Sequence, residues 1–468
     1  MTKIKFGTDG WRAIIAQDFT VDNVARVAEA TAAWLLKRKK ENTVVVCHDC
    51  RYGGELFSDV CAKVFIANGI KVLQAKGFVS TPMVSLATVH YKADLGIIIT
   101  ASHNPPSYNG YKIKGPYGGP LGAEFVQEIE DMIQPSVNDD WQKQDLNDAA
   151  KIGLHEIAPL EDLYIKKVEK AFDLEVIRQS DIRMAYDAMY GAGQRVMKKL
   201  FPDMVTLHCD HNPGFDGQAP EPIHKNLKEF SELVRSSKDI SCGLATDGDA
   251  DRLGLYDERG NFVDSHHIIL LLIHYLVRYK QMKGKIVVAF STSVRIKNLC
   301  KHYGLEVEVV KIGFKHICSI MIREDVLIGG EESGGIAIKG HIPERDGIWI
   351  GLTLWEFMAK TGKSLNELIQ EVYAITGSFA FERNDLHINE EIKAKVLEAC
   401  KSRSYKTFGE YKVQRVEDLD GFKFYFDDNT WMMIRASGTE PVLRIYAEAS
   451  DKMTAQDILE QTEAVLLS

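Results

Sequence analysis

The chain has 468 residues, 45% hydrophobic and 26% charged, with a formal net charge of −9 from 57 Lys and Arg against 66 Asp and Glu. That composition excludes a disordered, collagen-like or coiled-coil chain, and at roughly 150 residues per domain the length suggests about three domains. The acidic balance predicts no general nucleic-acid affinity, while one basic cleft stays compatible with binding an anion.

The opening residues, MTKIKFGTDGWR, lack the apolar core of a secretory signal. Helical spacing over 21–37 is followed by the apolar run 43–47 (TVVVC), a helix over 57–68, a strand at 70–74 and the run 95–100 (LGIIIT). Short β-branched runs separated by helices predict a doubly wound α/β unit with a parallel core. In such sheets ligands sit at the carboxyl ends of strands, which directs attention to the residues after LGIIIT. The polar stretch 135–150 reads as a boundary. A second unit follows, with strands at 182–186, 205–208 and 243–246 and a helix opened by Gly191 and Gly193. A third begins near Gly260, with a helix over 268–277 and strands at 286–290, 307–310 and 326–329. The 268–277 run is the longest nearly unbroken apolar stretch, yet it is far short of the ~20 residues a bilayer crossing needs. No membrane contact is expected. After Gly377, strands at 422–426, 431–435 and 443–448 read as antiparallel, closed by a helix over 455–467. The eight cysteines are scattered, which suits reduced thiols and a cytoplasmic location. Cys47 and Cys50 form a C-x-x-C spacing with no second pair nearby, so a metal or redox reading has little support.

Four loops carry chemistry-bearing residues. The first is 100–105, TASHNP, followed by Asn109, Gly110, Tyr111 and Lys112. Ser102 at a strand's carboxyl end is placed as a nucleophile, with an ordinary Ser/Asn/Pro turn as the alternative. No G-x-S-x-G elbow surrounds it, which disfavours acyl transfer. The second is DGDADR, where Asp247, Asp249 and Asp251 at i, i+2 and i+4 can converge on one hard divalent cation. An EF-hand needs Gly where Arg252 stands, and a solvated acidic turn leaves the adjacent Arg252 unexplained; a cation there suits a site that also takes phosphate. The third, GGEESGG at 329–335, offers Glu331 and Ser333 to hydroxyl groups, or serves as a linker. The fourth, RASGT at 435–439 with Arg444 beyond it, forms a phosphate cradle or an exposed hairpin turn.

Together these motifs, in this order from FGTDGWR to RASGTEP, closely resemble the α-D-phosphohexomutases, a family that includes phosphoglucomutase, phosphomannomutase and phosphoglucosamine mutase. The resemblance implies three successive doubly wound α/β domains of shared topology plus a smaller C-terminal α+β domain around a central cleft, here at 1–148, 149–258, 259–375 and 376–468. It implies a phosphoryl group on Ser102, Mg²⁺ held by Asp247, Asp249 and Asp251 with a phosphoserine oxygen, and sugar reading by Glu331 and Ser333. Substrate phosphate is expected on Arg435, Ser437, Gly438, Thr439 and Arg444. Arg12 and Arg252 are expected to neutralise the transferring group. Lys112 is the expected base, with its pKa brought down from about 10.4 by Arg12 and the ion; His103 is the alternative base and is expected instead to position the loop. Some members carry His where Gly335 stands, so Arg345 or His341 is expected to stand in, and Lys315 to touch substrate, with a solvated surface charge as the alternative for each. The implied reaction interconverts hexose 1- and 6-phosphates through a hexose 1,6-bisphosphate, which also acts as activator. The E-E-S sugar loop looks most like that of the glucose enzymes; a mannose or glucosamine mutase of the same family, a non-catalytic sugar-phosphate binding protein and a metal-dependent phosphatase are the alternatives. A hinged fourth domain, a hexose phosphate as the small-molecule partner and a monomer or homodimer complete the expectation.

Overall fold

Thr43–His48, Lys71–Gln74 and Leu95–Ile99 lie parallel in the middle of the first sheet. The structure is a computed structural model that describes residues 3–436 and 442–467. Leu95–Ile99 is buried along its whole length, as expected for a strand covered by helices on both faces. Helix Val21–Leu36 begins where the Thr20 hydroxyl accepts the Asn23 N–H, a side-chain cap for an otherwise unpaired donor. The sheet is mixed rather than wholly parallel. Leu95–Ile99 folds back as Tyr108–Lys114, and Trp11–Ile14 pairs antiparallel on the outer side of that strand.

The same plan recurs twice. Cys242–Thr246 folds back as Leu253–Tyr256 and lies parallel to Met184–Asp187, which is followed by Val205–Leu207. Val326–Gly330 folds back as Ile336–Ile338 and lies parallel to Lys285–Ala289, followed by Val307–Val310. In all three units the hairpin connection is one of the loops singled out by sequence: 100–107, 247–252 and 331–335. Each connection turns through one residue of positive φ: Ser102 at 52°, Ala250 at 57° and Gly334 at 87°. The repeat invisible in residue identities is therefore explicit in topology.

The fourth sheet is antiparallel, in the order Ala380–His387, Val442–Ala449, Trp431–Ala436, Phe422–Tyr425, Arg415–Glu417, with helices Glu390–Lys401 and Lys452–Leu467. It docks on the third unit through buried polar contacts. Glu448 accepts the Ser293 hydroxyl at 2.9 Å and the Val294 N–H at 3.2 Å, and Lys423 Nζ donates to the Thr292 carbonyl at 3.3 Å. At the junction, Arg295 donates to the Thr376 carbonyl, 2.9 Å, beside Gly377.

One boundary needs correction. The polar stretch near 135–150 is not a bare linker: it forms the 3-10 turn Asp139–Lys143, with Trp141 buried, and the helix Leu146–Lys151, capped by Asp145. Strand His155–Ile157 then pairs with Lys71–Gln74, so the first sheet runs past residue 148. The apolar run at 268–277 lies mainly in helix Ser265–His274, which is packed on all sides. Among the described residues no helix is long and apolar enough to cross a membrane. All eight cysteines are unpaired and buried.

Candidate active site

The first and second hairpin turns meet. The Ser102 hydroxyl, fully buried, donates to Asp247 Oδ2 at 2.7 Å, across 145 residues of chain. Its other neighbour is His103 Nδ1, 3.2 Å from Oγ. Burial, followed by the nearby cations Arg252, Arg12, Lys112 and Arg51, holds the His103 pKa well below its ordinary value, so the ring is neutral. The Ser102 N–H donates to Thr100 Oγ1, whose own hydroxyl donates to Asp49 Oδ2, at 2.9 and 2.5 Å.

Asp247, Asp249 and Asp251 are all fully buried, and one oxygen of each lies within 4.8 Å of the others'. Asp247 Oδ1 accepts the N–H groups of Asp251 and Arg252, at 2.9 and 3.0 Å, which shapes the turn. Asp249 Oδ2 accepts from Thr81 Oγ1 and Lys112 Nζ, at 2.5 and 2.8 Å. Asp249 Oδ1 and Asp251 Oδ1, both buried, have no hydrogen-bond partner. Burial together with Asp249 and Asp251 pushes the Asp247 pKa far up, as three crowded carboxylates require. Two orphaned carboxylate oxygens beside a third acidic group are the donor set of a hard divalent cation, which would relieve both the missing partners and the mutual repulsion.

A ring of buried cations faces this triad. Lys112 Nζ lies 2.8 Å from Asp249 Oδ2, 3.1 Å from Asp251 Oδ2 and 3.0 Å from Asp9 Oδ2. The expected depression of its pKa is not what this arrangement produces. Burial works in that direction, but Asp249, Asp251 and Asp9 outweigh it and hold the lysine well above its ordinary value. The like-charge neighbour that opposes them is Arg345 rather than Arg12. Arg345 pairs with Asp251 Oδ2 at 2.7 Å and with Asp9, joining all three α/β units at one guanidinium. A Cβ on Gly335 would stand 3.1 Å from Arg345 Cγ and closer still to Cδ. The arginine therefore occupies the room that a side chain at 335 would need. His341 points elsewhere: it stacks on Trp349, ring centroids 3.7 Å apart, and lies 2.9 Å from Asp346 Oδ2.

Arg12 donates to Asn104 Oδ1 at 2.6 Å, within the Ser102 loop. Arg252 Nε is 3.9 Å from Asp251 Oδ1 and has no hydrogen-bond partner. Glu331, buried, accepts the Gly313 N–H at 2.9 Å, and burial raises its pKa against the pull of Arg345 and Arg252. Lys315 lines a cavity of about 140 Å³ with Thr8 and Asp9. Arg435 and Arg444 oppose each other on neighbouring strands, with Arg435 Nε 3.3 Å from Asp420 Oδ1. Ser437, Gly438 and Thr439 lie outside the described residues. Among the described residues no hydrogen bond or ion pair ties Lys315, Ser333, Arg435 or Arg444 directly to the Ser102 cluster. Sequence reasoning missed Asp9, Thr81, Asp49 and Arg51. Asp9 had a usable signal: Gly10 follows it at φ 92°, where a Cβ would strike the Tyr111 carbonyl at 2.6 Å, so TDG marks a forced close approach of backbone.

Four models of the phosphoglucomutase/phosphomannomutase family match: alpha/beta/alpha domain I over residues 3–138, domain II over 162–260, domain III over 264–375, and the C-terminal domain over 388–465. The chain is similar to the phosphoglucomutase/phosphomannomutase of Thermococcus kodakarensis, 31% identical over 97% of this chain and 96% of that one. It is similar to the "probable phosphoglucosamine mutase" of Pyrococcus furiosus, 30% identical over 98% and 97% of the two chains. A crystal structure from Thermus thermophilus, described as a "putative phosphomannomutase", superposes with a TM-score of 0.88 at 32% identity and covers 100% of both chains.

Proposed function

The chain belongs to the phosphoglucomutase/phosphomannomutase family and is a phosphohexomutase, and on that premise we propose that it interconverts glucose 1-phosphate and glucose 6-phosphate through a phosphorylated Ser102 and glucose 1,6-bisphosphate. The observation that carries this reading is the 2.7 Å contact between the Ser102 hydroxyl and Asp247. It is a contact between the hydroxyl we assign as nucleophile and a carboxylate triad from another hairpin.

In the first transfer the bond from phosphorus to Ser102 Oγ breaks as one to a sugar oxygen forms. The sugar hydroxyl gives up its proton and Ser102 Oγ takes one up. The second transfer is the reverse, on the other sugar oxygen, after the bisphosphate has turned over. Asp247, Asp249, Asp251 and Ser102 would hold Mg²⁺, which supplies charge neutralisation for the moving phosphoryl group. Phosphoserine brings roughly −1.5 to −2 of charge, and Arg12, Arg252 and Arg345 are the side chains assigned to offset it. Lys112 is assigned the proton. It contacts Asp249 and Asp251, two of the residues that would hold the ion, and a bound cation there would weaken the field that keeps its ammonium charged. His103 positions the loop. Glu331 and Ser333 read sugar hydroxyls, Lys315 lies toward the substrate, and Arg435, Ser437, Gly438, Thr439 and Arg444 take the phosphate that is not being transferred.

The E-E-S sugar loop favours glucose. The names of the relatives span glucose, mannose and glucosamine phosphates, so the assay compares all three 1-phosphates with Mg²⁺ and catalytic bisphosphate. Glucose 1-phosphate should show the highest kcat/KM; a preference for another hexose overturns the glucose assignment alone. Ser102→Ala should lose turnover and remain folded; activity near wild type in that variant would remove the nucleophile. A cytoplasmic location is part of the same proposal, supported by eight buried unpaired cysteines, as is a monomer or homodimer.

A further inference from the structure

We propose that Arg51 is a positioning residue for the reacting hydroxyl: its guanidinium clamps the Ser102 loop in the conformation that aims Oγ at Asp247. The proposal rests on Ser102 being the phosphoryl carrier.

Ser102 has a φ of 52°. A non-glycine residue there is strained and persists only where its surroundings over-determine it. One guanidinium holds the carbonyl side of that turn. Arg51 Nη2 donates to the carbonyls of Ser102 and Asn104, both at 2.6 Å. Nη1 donates to those of Pro105 and Tyr108, at 2.9 and 3.0 Å. All four Nη–H donors are spent on backbone oxygens of the hairpin connection and of Tyr108, the first residue of the strand after it.

The arginine is itself held. Its N–H donates to Asp49 Oδ1 at 2.9 Å, and its Nε lies 3.5 Å from Asp49 Oδ2. The ring of Phe215, from the second domain, covers the guanidinium at 5.0 Å. Asp49 also receives the Thr100 hydroxyl, and Thr100 receives the Ser102 N–H. Both backbone ends of the serine, N–H and carbonyl, therefore lead back to the same Asp49–Arg51 pair. The topology explains why this pair is at hand. Thr43–His48 runs parallel to Leu95–Ile99, so both strands deliver their carboxyl ends to the same edge of the sheet.

The Arg51 side chain has no exposure and all its Nη donors are occupied by backbone, so it does not reach substrate. Lysine cannot replace it, because an ammonium is a compact point charge with three donors and cannot span four carbonyls in a plane. A loop displaced by about 1 Å can lose on the order of 100-fold in rate.

Arg51→Lys tests this. It should cut kcat by about 100-fold and leave KM within about threefold, because the charge stays and the geometry goes. Transfer of phosphate from glucose 1,6-bisphosphate onto Ser102, followed by intact mass, should slow by the same factor. In Arg51→Ala, added guanidinium ion should restore part of the turnover where methylammonium does not. Should the alanine variant not fold, Arg51→Lys alone decides. A folded lysine variant with near wild-type kcat, or with its whole loss in KM, overturns the clamp. If the wild type itself turns over no hexose phosphate, it is the functional reading that fails. The clamp is then judged by amide exchange: faster exchange confined to residues 101–108 in Arg51→Lys supports it, and unchanged exchange there refutes it.

Discussion

Gly335→Ala probes whether Arg345 occupies its place because residue 335 has no side chain. The backbone at 335 is not in the left-handed region, so alanine brings no conformational penalty of its own. The added Cβ would overlap Arg345 Cδ and stand 3.1 Å from Cγ, with Glu331 Oε2 at 3.5 Å. Carbon atoms rest about 3.5–4.0 Å apart, so the arginine must retreat by roughly 1 Å. It cannot do so freely, because its guanidinium is pinned at both Asp9 and Asp251, the latter at 2.7 Å. Overpacking of this kind costs about 1–3 kcal/mol, and a shift of that size at a reacting centre can cost on the order of 100-fold in kcat/KM. The assay is a double-mutant cycle, with urea denaturation and turnover measured for Gly335→Ala, Arg345→Ala and the double variant. If the methyl acts through Arg345, its cost disappears in the Arg345→Ala background. Equal costs in both backgrounds would refute the steric argument.

Two further predictions concern charge. Burial brings the pKa of Lys423 down to about 7 despite Glu448 nearby, whereas the unfolded lysine keeps its ordinary value. Below pH 7 both states hold the proton and the folded state carries a buried charge. Above pH 7 only the unfolded state holds it, so this lysine's contribution to stability rises with pH. Lys423→Met should therefore stabilise the protein more at pH 6 than at pH 9 in urea titrations, and the opposite order would exclude the buried-charge explanation. Chelation should stop turnover and Mg²⁺ restore it. Because an ion that binds only the folded state stabilises it, Mg²⁺ at about a hundredfold excess over its Kd should add about 2.7 kcal/mol against urea, and Asp249→Asn should shrink that gain; equal gains in both proteins would remove Asp249 from the ion's ligands.

Much of the architecture was legible because its signals are local. The runs TVVVC and LGIIIT have the length and β-branched content of strands covered on both faces, and both are strands here. Tyr108–Lys114 escaped notice because Asn109 and Gly110 break the pattern at its start, which leaves only Tyr111–Lys114 alternating. Asn109, Lys112 and Lys114 are buried in it; Asn109 donates to the Tyr52 carbonyl of the same unit, and the two lysines reach Asp249, Asp251 and Glu344 of the others. The strand His155–Ile157 was missed because three residues carry too little pattern.

The sequence by itself determined the order of the domains, the hairpin loops and the residue types gathered in them, since strand length, Gly and Asp spacing and turn chemistry act over a few neighbouring residues. Only the tertiary structure decided which groups face one another. Arg345 finds Asp9 across 336 residues, Lys112 finds Asp249 across 137, and Arg51 finds the Ser102 carbonyl across 51. Electrostatic fields and steric room depend on distance in space, so the charged state of Lys112 and the vacancy at Gly335 that admits Arg345 exist only once the three hairpins have been brought to one cleft.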